Sequence, residues 1–136
     1  MSTLKIGTYA NKTNFHPGEE LAGKVLFLLD KPEKAVEIRL FWYTEGRGRP
    51  DVRIVDTVRI DKPELRGEHD FKFTLPAEPY SFAGALISLN WAVELVVLPS
   101  NEAERFAFTM SPTGDTLRLV EPQIEEIEVT DKDVVQ

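Results

Sequence analysis

Apolar and polar residues alternate with a period of two over most of this sequence. The alternation is clearest in residues 23–30, 35–43, 52–60, 69–75 and 85–97, and shorter segments follow at 105–109, 116–120 and 124–129. Successive side chains of a strand point to opposite faces, so each segment predicts a strand with one buried face. No segment keeps the 3.6-residue period of a helix, and only residues 63–66 are candidates for a short helical turn.

Turn-forming residues separate these segments. They include Pro17-Gly18, Pro63, Pro76, Pro79 and the stretches 46–50, 99–101 and 111–115. About eight short strands divided by such turns predict an all-β fold, an immunoglobulin-like antiparallel β-sandwich. We expect residues 1–129 to form a single domain and residues 130–136 to be an acidic, frayed C-terminal tail.

The net charge of the chain limits the classes of partner that it can bind. The formal net charge is −7, and residues 69–136 contain 4 Lys or Arg against 12 Asp or Glu. A nucleic-acid backbone requires a clustered basic surface, so we expect no nucleic-acid partner.

The sequence has no cysteine, no apolar signal core at its start and no stretch long enough to span a bilayer. We therefore expect a cytoplasmic protein that does not insert into membranes.

Few residues are candidates for catalysis. The two histidines, His16 and His69, are distant in sequence, and neither belongs to a metal-binding motif such as H-x-H. No G-x-S-x-G nucleophile motif is present. Adjacent acid pairs such as Glu19-Glu20 point to opposite faces of a strand and do not converge on one substrate atom. The sequence therefore predicts no catalytic residue, no cofactor and no metal site.

Aromatic residues offer one candidate interaction surface. Trp42 and Trp91 share the phase of neighbouring aliphatic residues, which favours a place in the core. Phe41 and Tyr43 lie on the opposite phase and are better candidates for an exposed surface or a sheet edge. Stacked aromatic residues hold sugars in many β-sandwich modules, so Tyr43 is also a candidate for carbohydrate binding.

A second candidate surface is the glycine-rich loop that contains Arg47 and Arg49. Two guanidinium groups and flexible backbone N–H groups could hold an anion, but the strand-to-helix context of a phosphate-binding loop is missing. A solvated hairpin loop explains the same residues. Both interpretations stay open at this point.

Two turn motifs stand out within the strand pattern. The first is Phe15-His16-Pro17-Gly18-Glu19 with a further glycine at Gly23, and Pro17-Gly18 suits the centre of a type II turn. The second reads x-Phe-x-Phe-x-Leu-Pro, then Pro-x-Ser-Phe, then a long strand with a central tryptophan. Its residues are Phe71, Phe73, Leu75, Pro76, Pro79, Ser81, Phe82 and Trp91. In this order, over residues 3–110, the motifs resemble the N-terminal domain of the arrestin-like family.

The resemblance implies a binding scaffold instead of a catalyst. Arrestins carry two such sandwiches, whereas this sequence has room for one. The basic residues with which arrestins sense receptors are reduced in the first strand to Lys5, and the distal tail contains no arginine. Phosphoreceptor sensing is therefore not implied. The sequence is closer to stand-alone or bacterial arrestin-like proteins, including the sporulation-control type.

We therefore expect a non-enzymatic protein-interaction module. It would bind a protein or peptide, or a second copy of itself as a homodimer, through its sheet edges or loops. The alternative is a carbohydrate- or anion-binding sandwich that uses Tyr43 and the Arg47/Arg49 loop. Structural roles in the two turn motifs are expected for Pro17, Gly18, Glu19, Gly23, Pro76, Pro79 and Ser81.

Overall fold

Ten strands account for most of residues 1–118, the part of the chain that the computed structural model describes. Seven strands have six residues or more and three have two residues. A short 3₁₀ turn at Tyr9–Asn11 follows the first strand. The strands are β1 (Thr3–Thr8), β2 (Asn14–Phe15), β3 (Glu20–Leu28), β4 (Ala35–Gly46), β5 (Val52–Asp61), β6 (Arg66–Thr74), β7 (Phe82–Ala83), β8 (Ile87–Leu98), β9 (Ala103–Met110) and β10 (Leu117–Arg118).

The strands form a smaller and a larger sheet. In the smaller sheet β3 lies between β1 and β6, and both pairings are antiparallel. In the larger sheet β8 pairs with β4 on one side and with β7 and β9 on the other, and β4 pairs in turn with β5. Two short parallel pairings, β2 with β9 and β10 with β7, extend it. The all-β sandwich predicted from the alternation is confirmed, and β1, β2 and β7 lie outside the segments in which the alternation was clear.

The core takes one phase of each long central strand. Every second residue of β8 from 89 to 97 is at most 6% exposed, and Trp91 is completely buried. The neighbouring strand β4 and strands β3 and β6 of the smaller sheet contribute Leu21, Val25, Phe27, Val36, Ile38, Leu40, Phe71 and Phe73. Removing this apolar surface from water is the main stabilising contribution to such a fold. The expectation of one core-facing side per strand therefore agrees with the structure for these strands.

Some expected elements differ from the structure. Residues 63–66 form no helix and connect β5 to the start of β6. The strand expected at 116–120 is described only as Leu117–Arg118, and the strand expected at 124–129 lies outside the described residues, as do the tail 130–136 and the end of the expected domain. Among residues 1–118, no helix is long and apolar enough to cross a membrane.

Candidate functional site

Strand β5 forms one edge of the larger sheet and carries an unusual number of exposed apolar side chains. Within the described residues it pairs with β4 alone, so its other edge has no neighbouring strand. Val52, Ile54, Val55 and Val58 are 64%, 49%, 40% and 36% exposed. An exposed, apolar edge of ten residues is a template for strand addition, which is why most proteins protect such edges.

A β-bulge divides β5 into two segments. Leu40 of β4 faces Asp56, whereas the next residue, Phe41, faces Ile54, so Val55 is the extra residue. Residues opposite each other in a pair share a face of the sheet. The side chain of Val58 therefore lies on the core-facing side with Ile38, and that of Ile54 lies on the outer side with Phe41. Apolar side chains are exposed on both faces of this one strand.

Four charged side chains fix the regular half of β5 to β4. Glu37 of β4 accepts hydrogen bonds from Arg39 and from Arg59 of β5, at 2.8 Å and 2.7 Å, and Arg59 also donates to Asp61 at 2.8 Å. Burial raises the pKa of Glu37, but the two guanidinium groups lower it more, and the net pKa lies below its ordinary value. The guanidinium group of Arg59 therefore pairs with carboxylates of its own sheet.

Phe41 is not exposed, contrary to the expectation from the sequence. It lies on the outer face as its phase predicts, but it is only 3% exposed. The guanidinium carbon of Arg105, from β9, lies 4.9 Å from the centre of the Phe41 ring and 4.7 Å from that of Tyr43. The two rings also stack on each other at 5.8 Å. Arg105 thus covers both aromatic rings, and Tyr43 is half-buried beneath it.

Arg47 and Arg49 lie in the exposed loop between β4 and β5. The loop is closed by hydrogen bonds from the Thr44 N–H to the Asp51 carbonyl and from the Asp51 N–H to the Thr44 hydroxyl, both 2.9 Å. Neither arginine forms an ion pair within residues 1–118. The loop leads directly into β5, and no acidic side chain of the described residues orders its guanidinium groups.

The first turn motif closes the end of the sandwich before β3. The Glu19 N–H donates to the His16 carbonyl at 3.1 Å, and Gly18 has φ of +81°, which explains the glycine after Pro17. The Glu19 carboxylate accepts a bond from the His16 N–H at 2.8 Å and pairs with the Lys12 ammonium. The hydrogen bond from Lys12 is the largest cause that lowers the pKa of Glu19, and burial, which raises it, does not offset the lowering.

Gly23 belongs to strand β3 and not to the turn. A Cβ atom there would lie 2.2 Å from the Gly7 carbonyl oxygen and 2.7 Å from the Phe71 ring. The glycine is required because β1 approaches closely on one side and an aromatic ring fills the place of its side chain. Its role is packing within the smaller sheet.

The second turn motif ties its residues to the end of β9. Ser81, 3% exposed, donates its N–H to the Met110 carbonyl at 2.7 Å and accepts the Met110 N–H on its hydroxyl at 3.0 Å. The Trp91 indole N–H donates to the Pro79 carbonyl at 2.8 Å. Pro76 and Pro79 are both half-buried on either side of the intervening loop. The buried polar groups of this motif satisfy one another.

The two motifs meet at the same end of the molecule. The Leu75 N–H donates to the Glu19 carbonyl at 2.9 Å, which joins the start of β3 to the end of β6. The Ser111 N–H donates to the Phe15 carbonyl at 3.1 Å. The motifs therefore stabilise the fold, and the candidate interaction surface lies elsewhere, on β5.

Sequence reasoning missed β5 as a candidate site. The alternation in residues 52–60 predicted an ordinary strand with one buried face. The useful signal was the presence of apolar residues on both phases, with Val55 next to Ile54. Apolar residues on both phases, broken by a charge, indicate either a fully buried strand or a bulged edge strand, and only the pairing of the sheet distinguishes the two.

Comparison with known proteins gives a match to the fold. No protein-family model matches the chain, and no curated protein matches it in sequence. The crystal structure of Spo0M, a sporulation control protein from Bacillus subtilis, matches with a TM-score of 0.55 and 14% identity. The match covers 98% of this chain and 55% of the Spo0M chain. A β-glucosidase from Listeria innocua matches with a TM-score of 0.45 and 18% identity, over 85% of this chain and 16% of the enzyme.

The likeness to Spo0M covers nearly the whole sequence, and this chain spans about half of the Spo0M chain. At this level of identity the likeness concerns the fold alone. The arrestin-like resemblance inferred from the two turn motifs is confirmed at that level: the chain has the arrestin-like β-sandwich fold that Spo0M has.

Proposed function

We propose that the protein is a cytoplasmic, non-enzymatic interaction module that binds an extended segment of a partner protein as an additional strand beside β5. The observation that carries the proposal is the exposed edge of β5, with apolar side chains on both faces. An added strand would pair with the N–H and C=O groups of this edge, and its alternate side chains would cover the exposed valines and isoleucine.

The bulge at Val55 favours a partner peptide over a second copy. Two β5 strands paired across a two-fold axis would bring two bulges into one short interface, and each bulge interrupts the ladder of hydrogen bonds. A peptide meets only one bulge and can pair with the regular segments on both sides of it, 52–54 and 56–61.

The likeness to Spo0M supports a regulatory role for this chain, since Spo0M is a sporulation control protein. The carbohydrate- or anion-binding alternative has weaker support. Arg105 covers the ring of Tyr43 that would stack on a sugar, and Arg47 and Arg49 lie in an exposed loop. We therefore assign the interaction to the edge of β5.

A peptide selection with hydrogen exchange tests the proposal. Random twelve-residue peptides displayed on phage are selected on the purified protein, and amide exchange is measured with and without the selected peptides. We expect protection of β5 amides that exchange rapidly in the unbound protein. We expect Val58→Lys to weaken binding by about tenfold or more, because a lysine on the edge opposes pairing.

Leu28→Lys is the matched control. Leu28 is 54% exposed, but it lies on β3, which has paired neighbours on both sides. Peptide binding should be unchanged in this variant. Protection that appears outside β5, or binding that survives Val58→Lys, would contradict the proposal. If the protein dimerises in a concentration-dependent way and Val58→Lys abolishes the dimer, the partner of β5 is a second copy of the chain and not a peptide.

A further inference from the structure

Three carboxylates from distant parts of the sequence meet at one end of the sandwich. Asp30 and Glu33 lie in the connection between β3 and β4, and Glu102 lies in the connection between β8 and β9. The Lys34 N–H donates to the Leu98 carbonyl at 2.9 Å and holds the two connections together. Carboxylate oxygens of the three acids lie within 4.8 Å of one another.

Glu33 is the unusual member of this cluster. It is only 9% exposed, and neither of its carboxylate oxygens has a hydrogen-bond partner among the residues that the structure describes. A carboxylate that is buried without a donor or a positive charge costs considerable free energy. Native proteins keep such a group where a ligand or ion satisfies it, or where it has a function.

The other two acids are held at the rim by the first residues of the chain. Asp30 accepts a bond from the Ser2 hydroxyl at 3.3 Å and pairs with the Met1 amino group at 2.7 Å. Glu102 accepts the Ser2 N–H at 3.0 Å. Within residues 1–118, the Met1 amino group is the single positive group paired with the cluster, against three carboxylates. The cluster therefore keeps an excess of negative charge.

We propose that Asp30, Glu33 and Glu102 form a divalent cation site that takes Ca²⁺. All the side-chain ligands are oxygens, which suit Ca²⁺ and Mg²⁺ and not zinc or copper. Calcium binds oxygens at about 2.3–2.6 Å, so ligands on opposite sides of the ion are about 5 Å apart, which accommodates the observed spacing. Calcium also accepts the irregular geometry of two flexible connections, whereas Mg²⁺ requires a near-octahedral set.

The ion would supply the charge that Glu33 lacks and would bridge the two connections. Removing the ion would leave three carboxylates close together, and their repulsion would loosen this end of the sandwich. Calcium is therefore expected to raise the free energy of unfolding, and the increase grows with the ratio of its concentration to its dissociation constant.

Calorimetric titration of the full chain with CaCl₂ tests the site, together with thermal unfolding in EDTA and in about 5 mM CaCl₂. We expect one ion per molecule, with a dissociation constant of about 10⁻⁵–10⁻³ M, and a higher Tm with calcium. Glu33→Gln should remove both responses. In EDTA this variant should be at least as stable as the unsubstituted protein, because it removes an unpaired buried charge.

Glu64→Gln, at an exposed position outside the cluster, serves as the control and should keep the full calcium response. The proposal is overturned if CaCl₂ produces neither binding heat nor a change in Tm, or if Glu33→Gln responds as strongly as the unsubstituted protein. Parallel titrations with MgCl₂ and MnCl₂ check the choice of ion. Binding of either ion without binding of calcium would overturn the assignment to Ca²⁺.

Discussion

Replacing Gly23 by alanine should strongly destabilise the fold, whereas the same substitution at Gly7 on the neighbouring strand should not. The added methyl group at Gly23 would lie 2.2 Å from the Gly7 carbonyl oxygen and 2.7 Å from the Phe71 ring. At Gly7 a methyl group would meet nothing within 4 Å. The two variants therefore differ in packing and not in the chemistry of the change.

The loss of stability in Gly23→Ala depends on which neighbouring atoms can move away from the added methyl group. The Phe71 ring can shift within the core, but the Gly7 carbonyl belongs to a paired strand and can move only with the backbone of β1. Overpacking of this kind costs about 1–3 kcal/mol, and the rigid contact places Gly23→Ala near about 3 kcal/mol. Gly7→Ala should be neutral or stabilising by up to about 1 kcal/mol, since glycine weakens a strand interior.

Urea and thermal unfolding, followed by tryptophan fluorescence, measure both variants. For a domain of this size, about 1 kcal/mol corresponds to about 4 °C in Tm, so a loss near about 3 kcal/mol in Gly23→Ala should lower Tm by about 12 °C. Adding Phe71→Leu should recover part of the loss by releasing the ring contact, but not the part caused by the carbonyl. Equal stability of Gly23→Ala and Gly7→Ala would refute the close approach of β1 and β3.

Two further substitutions test the turn motifs. Ser81→Ala should cost about 1–3 kcal/mol, because it leaves the buried Met110 N–H without an acceptor, and urea unfolding measures the loss. Glu19→Gln should destabilise the protein most near neutral pH. The pKa of Glu19 is lowered in the folded state, mainly by the hydrogen bond from Lys12, so its contribution is present above the unfolded pKa and disappears as the pH falls through the folded pKa. Unfolding curves from about pH 7 to about pH 3 should therefore converge for the two proteins.

Each of these substitutions has a control at an exposed position. Ser100→Ala should leave stability within about 0.5 kcal/mol of the unsubstituted value. Glu64→Gln should show no convergence with pH comparable to that of Glu19→Gln. A Ser81→Ala variant as stable as Ser100→Ala would show that the hydroxyl does not satisfy Met110. A stability difference for Glu19→Gln that persists unchanged at low pH would exclude a role for its charge.

Much of the fold could be predicted from the sequence because the central strands keep one phase. In β8 every second residue from Leu89 to Val97 is buried, and no bulge breaks the alternation. The turn around Pro17-Gly18 was equally readable, since proline and glycine restrict φ in opposite ways. These features depend on residues that are close together in the sequence, and they can therefore be predicted from it.

The surface could not be predicted in the same way. The phase of Phe41 was correct, but its burial depends on Arg105, which arrives from a strand more than sixty residues later. The exposure of β5 depends on its place at the end of the sheet. The cluster of Asp30, Glu33 and Glu102 has no signal in the sequence, and no metal site was expected, because the three acids form no short ligand motif. Its members come together only through the pairing of β4 with β8.

The strand order of the larger sheet affects how the chain folds during synthesis. The β4–β5 hairpin is made before β8, yet β8 is the strand that covers the inner edge of β4. At about 5–20 residues per second, β8 is completed about 2–7 s after β5 leaves the ribosomal catalytic centre. Until then neither edge of this apolar hairpin is paired, and β2 lacks its partner strand β9 for still longer. The exposed edge that suits β5 for capturing a strand thus also makes the nascent hairpin prone to capturing the wrong one.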